Sequence, residues 1–370
     1  MLDVCRDRGL LAEIEAAVVR VVRSGQYILG PEVDHVEREL QERLGVAHAV
    51  GLSSGADALL CGLAALGVGP GDQVLVPTYG YFTAAGAVAR LGAVPVFVDA
   101  ETATYGLDPG QLAVRLAAHP RAKAVVAAHL FGLACDLPAI EAACRRAGVP
   151  LVEDAATAIG ATRAGRVVGT DGIVATWSTA PSKNLGGIGE GGFLTTNDDR
   201  LAERVRALRN QGAAIQHDHE LVGGNHRMDT IQAAAIRVRL RHLADIVEQR
   251  TGHAARYRDL FDEAHLSDWA QLPSERDGHA YQQFVVRVPA AQRDAAAVHL
   301  RQQGVACAVP FPRPQHHQHC FAHLPDAALP FPVADELAAT SLALPIFHGI
   351  TEAEQIDVVG ALAKFALQRR

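Results

Sequence analysis

The sequence predicts an α/β protein: a large domain whose mostly parallel central sheet is flanked by helices, followed by a smaller α+β domain. Three observations lead there. Between about residues 47 and 245, short β-branched runs alternate with stretches of helical periodicity, the pattern of a sheet built from β-α-β units. The runs are apolar throughout, as in central strands covered on both faces. Near residue 245 the alternation gives way to one long helical stretch and then to a mixed tail, which places the large domain at 1–245 and the small one at 246–370.

The chain opens with LLAEIEAAVVRVV (10–22), whose spacing is that of an amphipathic helix. Ser24-Gly25 ends it, because glycine accepts the left-handed turn. A second helical pattern fits VDHVERELQERL. The strand candidates are HAVGL, QVLVP, VPVFVD, AVVAAH and PLVED. Helices fit ADALLCGLAAL, FTAAGAVARL, DPGQLAVRLAA and LPAIEAACRRAG. The segment DTIQAAAIRVRLRHLADIVEQRTGHAARYRDLF is long and helical and links the domains. The tail offers a strand at AYQQFVVRV, a helix through AAAVHLRQQG, a short strand at VACAV, a Pro- and His-rich loop, and helices near 331–341 and 351–367.

Composition narrows the function. With 49% hydrophobic and 20% charged residues over 370 positions the chain is of ordinary globular composition. A net charge of −7 without a long Lys/Arg run disfavours nucleic acid as a partner. No stretch of about 18 apolar residues predicts a membrane span. The charged start, MLDVCRDRGLLAEIE, is unlike a secretory leader, so a cytoplasmic location is expected. The six cysteines lack CxxC pairs and are expected to be thiols rather than a disulfide framework.

In parallel α/β sheets ligands sit beyond the carboxyl ends of the strands, so chemistry is sought just after each run. After HAVGL, Ser53-Ser54-Gly55-Ala56-Asp57 opens a helix. This is a phosphate-binding N-terminus or an ordinary turn. After QVLVP, the aromatics of Thr78-Tyr79-Gly80-Tyr81 stack on a planar ligand or simply pack. After PLV, Asp154 is either a helix N-cap or the partner of a cationic ring nitrogen. The richest segment is Trp177 to Gly192, STAPSKNLGGIGEGG at its heart. Lys183 stands there in apolar surroundings, before five glycines in the seven positions 186–192 that permit close approach and unusual dihedrals. A desolvated lysine has a lowered pKa and serves as a Schiff-base nucleophile or general base. A phosphate-binding P-loop is excluded, since its lysine follows the glycines.

Taken together, SSGADAL, GDQVLVPTYGYFTAA, GAVPVFVDA, HLFG, VEDAATAIGA, STAPSKNLGGIGEGGFLTT and GGNHRMDTIQAA resemble, in order and spacing, the DegT/DnrJ/EryC1/StrS aminotransferases. The resemblance runs from about residue 24 to SLALPIF near 341. It implies the fold of type I pyridoxal 5′-phosphate (PLP) enzymes, with PLP as cofactor and pyridoxamine phosphate as its alternate form. Lys183 would carry PLP as a Schiff base and shuttle the proton. Asp154 would pair with the pyridine nitrogen, and Tyr81 would stack on the ring. Gly55 and Ala56 would offer backbone N–H groups to the phosphate and Ser178 its hydroxyl. Asn225 would reach the phosphate from a neighbouring subunit, which implies a homodimer with a shared active site. Such a ring is an electron sink only while its nitrogen stays protonated, which a nearby carboxylate maintains.

Five positions depart from the family pattern. Ala56 replaces a threonine, Thr157 a glutamine that meets the PLP 3′-oxygen, and Ile159 a histidine. Pro310-Phe311-Pro312 stands where His-Tyr-Pro is common. The run Gln315-His316-His317-Gln318-His319-Cys320 fits no regular zinc spacing, so no metal is expected; His129 is expected to be a structural hydrogen-bonding residue. The implied activity is transfer of an amino group from an amino acid, glutamate by family analogy, to a nucleotide-linked keto-deoxy sugar, giving a 3- or 4-amino sugar. The alternatives are a cyclitol or other cyclic ketone as acceptor, a PLP lyase or dehydratase, and a non-catalytic PLP-binding regulator.

Overall fold

Residues 5–215 and 218–368 are described by the structure, a computed structural model. Helices α1 (Arg8–Ser24) and α2 (Pro31–Leu44) precede β1 (His48–Leu52). Then follow α3 (Gly55–Ala65), β2 (Gln73–Pro77), α4 (Thr83–Arg90), β3 (Val94–Val98), α5 (Pro109–Ala118), β4 (Ala122–Ala128), α6 (Leu137–Ala147) and β5 (Leu151–Asp154). A small hairpin, β6 (Thr162–Arg163) and β7 (Arg166–Val167), leads to β8 (Val174–Ser178) and β9 (Gly192–Thr196). The central sheet has the order β1-β9-β8-β5-β4-β2-β3. Only β9 runs against its neighbours, being antiparallel to both β1 and β8.

Strand alternation explains why the apolar runs are continuous. Val74, Val76, Val126 and Val152 enter the core shared with α3 and α4, while Leu75, Val125 and Leu151 enter the core under α5 and α6. Strands β8 and β9 lie outside the five apolar runs. Trp177 Nε1 donates to Thr195 Oγ1 at 3.0 Å and the Trp177 and Phe193 rings stack, so pairing supplies what the short Gly-bounded sequences do not signal. The carboxyl ends of β1, β2, β4, β5 and β8 lie along one edge of the sheet, and the loops after them build the cleft described below.

After β9 come α7 (Asp199–Arg209), the short strands β10 (Ala213–Ile215) and β11 (Asp218–His219), and α8 (Thr230–Arg241). The long linking segment is two helices. His242, at φ −96° and ψ 3°, separates α8 from α9 (Leu243–Glu263). Helix α1 ends as expected, on Gly25 with φ 69°. Its apolar stripe Leu10, Ile14, Ala17 and Val21 covers Ala234, Ala235 and Val238 of α8. Beyond α9, β12 (Phe284–Arg287) pairs antiparallel with β13 (Ser341–Leu344). Helices α10 (Ala290–Gln302) and α12 (Glu352–Leu367) close a core around Tyr257, Phe261, Phe284 and Leu362.

The expected strand at VACAV does not form. It is reduced to one bridge, Ala308 to Ala343. Gly304 before it is left-handed (φ 79°) and Pro310 after it has no N–H, so a longer ladder cannot be sustained. Helix α11 (Pro332–Thr340) is anchored to the large sheet: Asp99, just past β3, accepts the N–H groups of Ala334 at 2.9 Å and Val333 at 3.2 Å. Cys61, Cys135, Cys144 and Cys307 are buried thiols. Among the described residues no helix is long and apolar enough to cross a membrane.

Candidate active site

Seven of the eight residues singled out from the sequence line one cleft of about 340 Å³: Gly55, Ala56, Tyr81, Asp154, Thr157, Ser178 and Lys183. They come from four separate segments, at the carboxyl ends of β1, β2, β5 and β8. The eighth, Asn225, is exposed, bridges Asn210, and does not line this cleft.

Ser54 caps α3, accepting the Asp57 N–H at 3.0 Å, and leaves the first turn of the helix facing the cleft. That turn is wedged against β8 and β9. A Cβ on Gly55 would lie 2.8 Å from Ser178 Cβ, and one on Gly192 would lie 2.4 Å from Gly55 N. The expectation of unusual dihedrals in the glycine stretch is corrected here. None of the glycines at 186, 187, 189, 191 and 192 has a left-handed φ; a Cβ at any of them would meet a neighbouring atom within 2.6 Å. A Cβ at Gly186 would meet Pro181 O at 2.6 Å, and at Gly187 the Gln232 side chain at 2.6 Å. Gln232 Oε1 also accepts the Ile188 N–H at 3.0 Å, which holds the loop after Lys183 against α8.

Lys183 sits at the cleft wall, its N–H bonded to Ala180 O at 2.9 Å. Burial pushes its ammonium below the usual lysine range, opposed by the carboxylates of Asp154 and Glu190. Asp154 moves the other way. Burial raises its carboxyl, opposed by the Ala156 N–H at 3.1 Å and by the charge of Lys183. Thr157 gives its hydroxyl proton to His129 O at 2.6 Å, so it serves the cleft only as an acceptor. Ile159, where the family pattern has histidine, is buried in the core beside α2 and α8.

Glu153 points to the opposite side of β5 from Asp154 and is fully buried. Its carboxylate accepts N–H groups from Gly169 at 3.0 Å, Asp171 at 2.8 Å and Gly172 at 2.5 Å, and meets His129 Nε2 at 2.9 Å. Burial alone would raise this carboxyl; the His129 and backbone donors hold it below its ordinary value. His129 Nδ1 in turn accepts the Cys135 N–H at 3.2 Å, which places the ring proton on Nε2, toward Glu153. His129 is therefore a structural residue, as expected. Glu153→Ala strands four donors and is expected to cost about 3–5 kcal/mol of stability in urea unfolding. Because the folded-state value is lowered, this stabilisation is present above the unfolded carboxyl's value and is lost as pH falls through the folded one. Glu153→Gln should therefore flatten the acid limb of the stability curve.

Sequence reasoning did not select Glu190, Gln282 or Phe131, which also line the cleft. Gln282 Nε2 donates to Ser182 O at 3.2 Å, tying the small domain to the residue before Lys183. Phe131 and Phe311 stack at 5.8 Å, and Phe311 meets Tyr81 edge-on at 6.4 Å. Phe131 (φ 61°) and Tyr281 (φ 40°) hold left-handed backbone where Ala280 N–H bonds Gly132 O at 2.8 Å. Glu190 was within the quoted glycine-rich motif; Gln282 sits in a strand-like run with no chemical signature.

The cleft thus offers a helix N-terminus, a lysine and an inward carboxylate around a flat space walled by aromatics. A planar group carrying a phosphate, an aldehyde and a basic ring nitrogen finds a complementary group for each. The family model for the DegT/DnrJ/EryC1/StrS aminotransferase family matches residues 10–363. The chain belongs to this family. The enzyme is an aminotransferase and PLP is its cofactor. It is 40% identical over 368 residues to the pleiotropic regulatory protein of Geobacillus stearothermophilus, covering 99% of this chain and 98% of that one. It is 38% identical to the UDP-N-acetyl-3-dehydro-alpha-D-glucosamine 3-aminotransferase of Acidithiobacillus ferrooxidans, covering 96% of this chain and 94% of that one. Among solved structures it matches S. venezuelae DesV in complex with a ketimine intermediate. There the TM-score is 0.91 and the identity 36%, over 98% of this chain and 97% of that one. The aminotransferase fold of type I is thereby established for this chain.

Proposed function

We propose that this aminotransferase moves an amino group from an amino acid, glutamate first, onto a nucleotide-linked keto-deoxy sugar, aminating C3 or C4. The observation that carries it is the pairing of Lys183 and Asp154 in one cleft with the open N-terminus of α3. The relative named as a UDP-sugar 3-aminotransferase supports the substrate class.

PLP bound here supplies an electron sink for a carbanion at the donor's Cα. Lys183 Nζ holds the cofactor between turnovers. Its free amine would take the donor's Cα proton and, once protonated, would give a proton to the sugar carbon. Its lowered pKa enlarges the neutral fraction available as the base. Asp154 keeps the ring nitrogen protonated, and the burial that raises its own carboxyl favours a shared proton there. Tyr81 covers the ring face, while Gly55, Ala56 and Ser178 hold the phosphate. Thr157 accepts a hydrogen bond at the ring edge. Asn225, exposed on the surface, serves the phosphate of a second copy, so the working unit is a homodimer. A cytoplasmic location goes with this reading, since both substrates are small cytoplasmic metabolites. The division at 245/246 falls in the first turn of α9, which would carry small-domain movement.

The test is a two-stage reaction. The PLP-loaded protein is mixed with glutamate alone, and one equivalent of 2-oxoglutarate per site is expected, with loss of the cofactor's yellow absorbance. Added nucleotide-linked 3- or 4-keto sugars should restore it, and the corresponding free sugars should not. Product formed without consumption of any amino donor would move the assignment to a lyase.

A further inference from the structure

The His-rich loop and α11 form a cluster that the PLP chemistry does not use. His317 Nε2 lies 3.1 Å and His316 Nε2 3.5 Å from the same atom, Oδ1 of Asp335. All three donor atoms fall within 4.8 Å of one another. His316 is 1% exposed, and its Nε2 makes no hydrogen bond among the described residues. Its Nδ1 is 2.6 Å from Thr78 Oγ1. In the tautomer whose Nδ1 proton is donated to that hydroxyl, the Nε2 lone pair faces the carboxylate. In that tautomer a cation between the two atoms satisfies both.

We propose that His316, His317 and Asp335 bind one divalent cation of the zinc class. Two imidazoles and a carboxylate form a borderline N/O set suited to zinc. Metal–donor bonds of about 2.1 Å at the tetrahedral angle separate neighbouring donors by about 3.4 Å, between the two separations seen here. His317 and Asp335 are exposed, with side chains 51% and 46% accessible, so an ion has an entry path and water completes its shell. Thr78 supplies the outer contact that fixes the His316 tautomer. The zinc spacing rules fail on sequence because the third donor lies on α11, beyond the loop that carries both histidines.

The ion would pin the loop to α11, which Asp99 anchors to the large sheet. The neighbouring Gln315 Nε2 donates to Gly80 O at 2.8 Å, next to Tyr81 in the cleft. The site is thus a clamp on the substrate-side wall rather than a catalytic metal.

The experiment uses untagged, PLP-loaded, chelator-treated full-length protein. Zinc is titrated against a chromophoric chelator, and cobalt is added as a visible probe. One zinc per chain, a tetrahedral cobalt spectrum and a raised thermal midpoint with zinc are expected. His317→Ala and Asp335→Asn, both at exposed positions, should each weaken zinc binding at least about tenfold, while His319→Ala should not. Absence of stoichiometric zinc binding by the wild type overturns the proposal, as does zinc binding unchanged in both variants.

Discussion

Lys183→Ala is expected to lower kcat by about 10⁴-fold or more, because it removes both the covalent anchor of the cofactor and the proton carrier. The yellow absorbance of lysine-bound PLP should vanish and borohydride should no longer fix the cofactor to the chain. Folding should be spared. Lys183 lies at a cleft wall, and among the described residues the only hydrogen bond recorded for it is made by its backbone. A normal circular dichroism spectrum with retained turnover would remove Lys183 from the mechanism. Lys183→Arg separates charge from chemistry: it keeps the charge beside Asp154 but can neither attach the cofactor nor carry the proton, and should be as inactive as alanine.

Asp154→Asn should leave the cofactor attached and still slow turnover by about 10²–10⁴-fold. Asparagine keeps the size and can accept from the Ala156 N–H, so the turn after β5 survives. It cannot hold a proton on the ring nitrogen, and the carbanion then loses its sink. The signature is a split. Absorbance of the lysine-bound form persists, while the half-reaction with glutamate slows. If the half-reaction kept its wild-type rate, Asp154 would be only the turn residue that its position also permits. The two substitutions therefore fail differently, one at attachment and the other at proton release.

The family departures gain meaning from the geometry. Thr157 is committed to the His129 carbonyl, so it cannot donate to the ring as a longer amide would. Phe311, in place of a tyrosine, stacks on Phe131 and offers no hydroxyl, making that wall apolar.

The sequence by itself determined the order of elements from α1 to β5, the family, and the residues at the strand ends. The signals for elements and strand-end residues are local, a β-branched run, a helix cap, or a lysine before a glycine stretch within a dozen residues, while the family shows in the order and spacing of several such motifs. Strands β8 and β9 were not legible, because five-residue segments bounded by glycine gain their stability from pairing with β1 and β5. The glycines were visible but their reason was not; only packing against Pro181, Gln232 and α3 shows that space, not a left-handed turn, demands them. The tertiary structure also decided that neighbours Glu153 and Asp154 serve opposite faces, one holding a loop and the other facing the cleft. Gln282 reaches Ser182 across 100 residues, and Asp335 meets two histidines from another segment. Contacts of that range follow from how the sheet and the small domain close on each other, and no sequence window contains both partners.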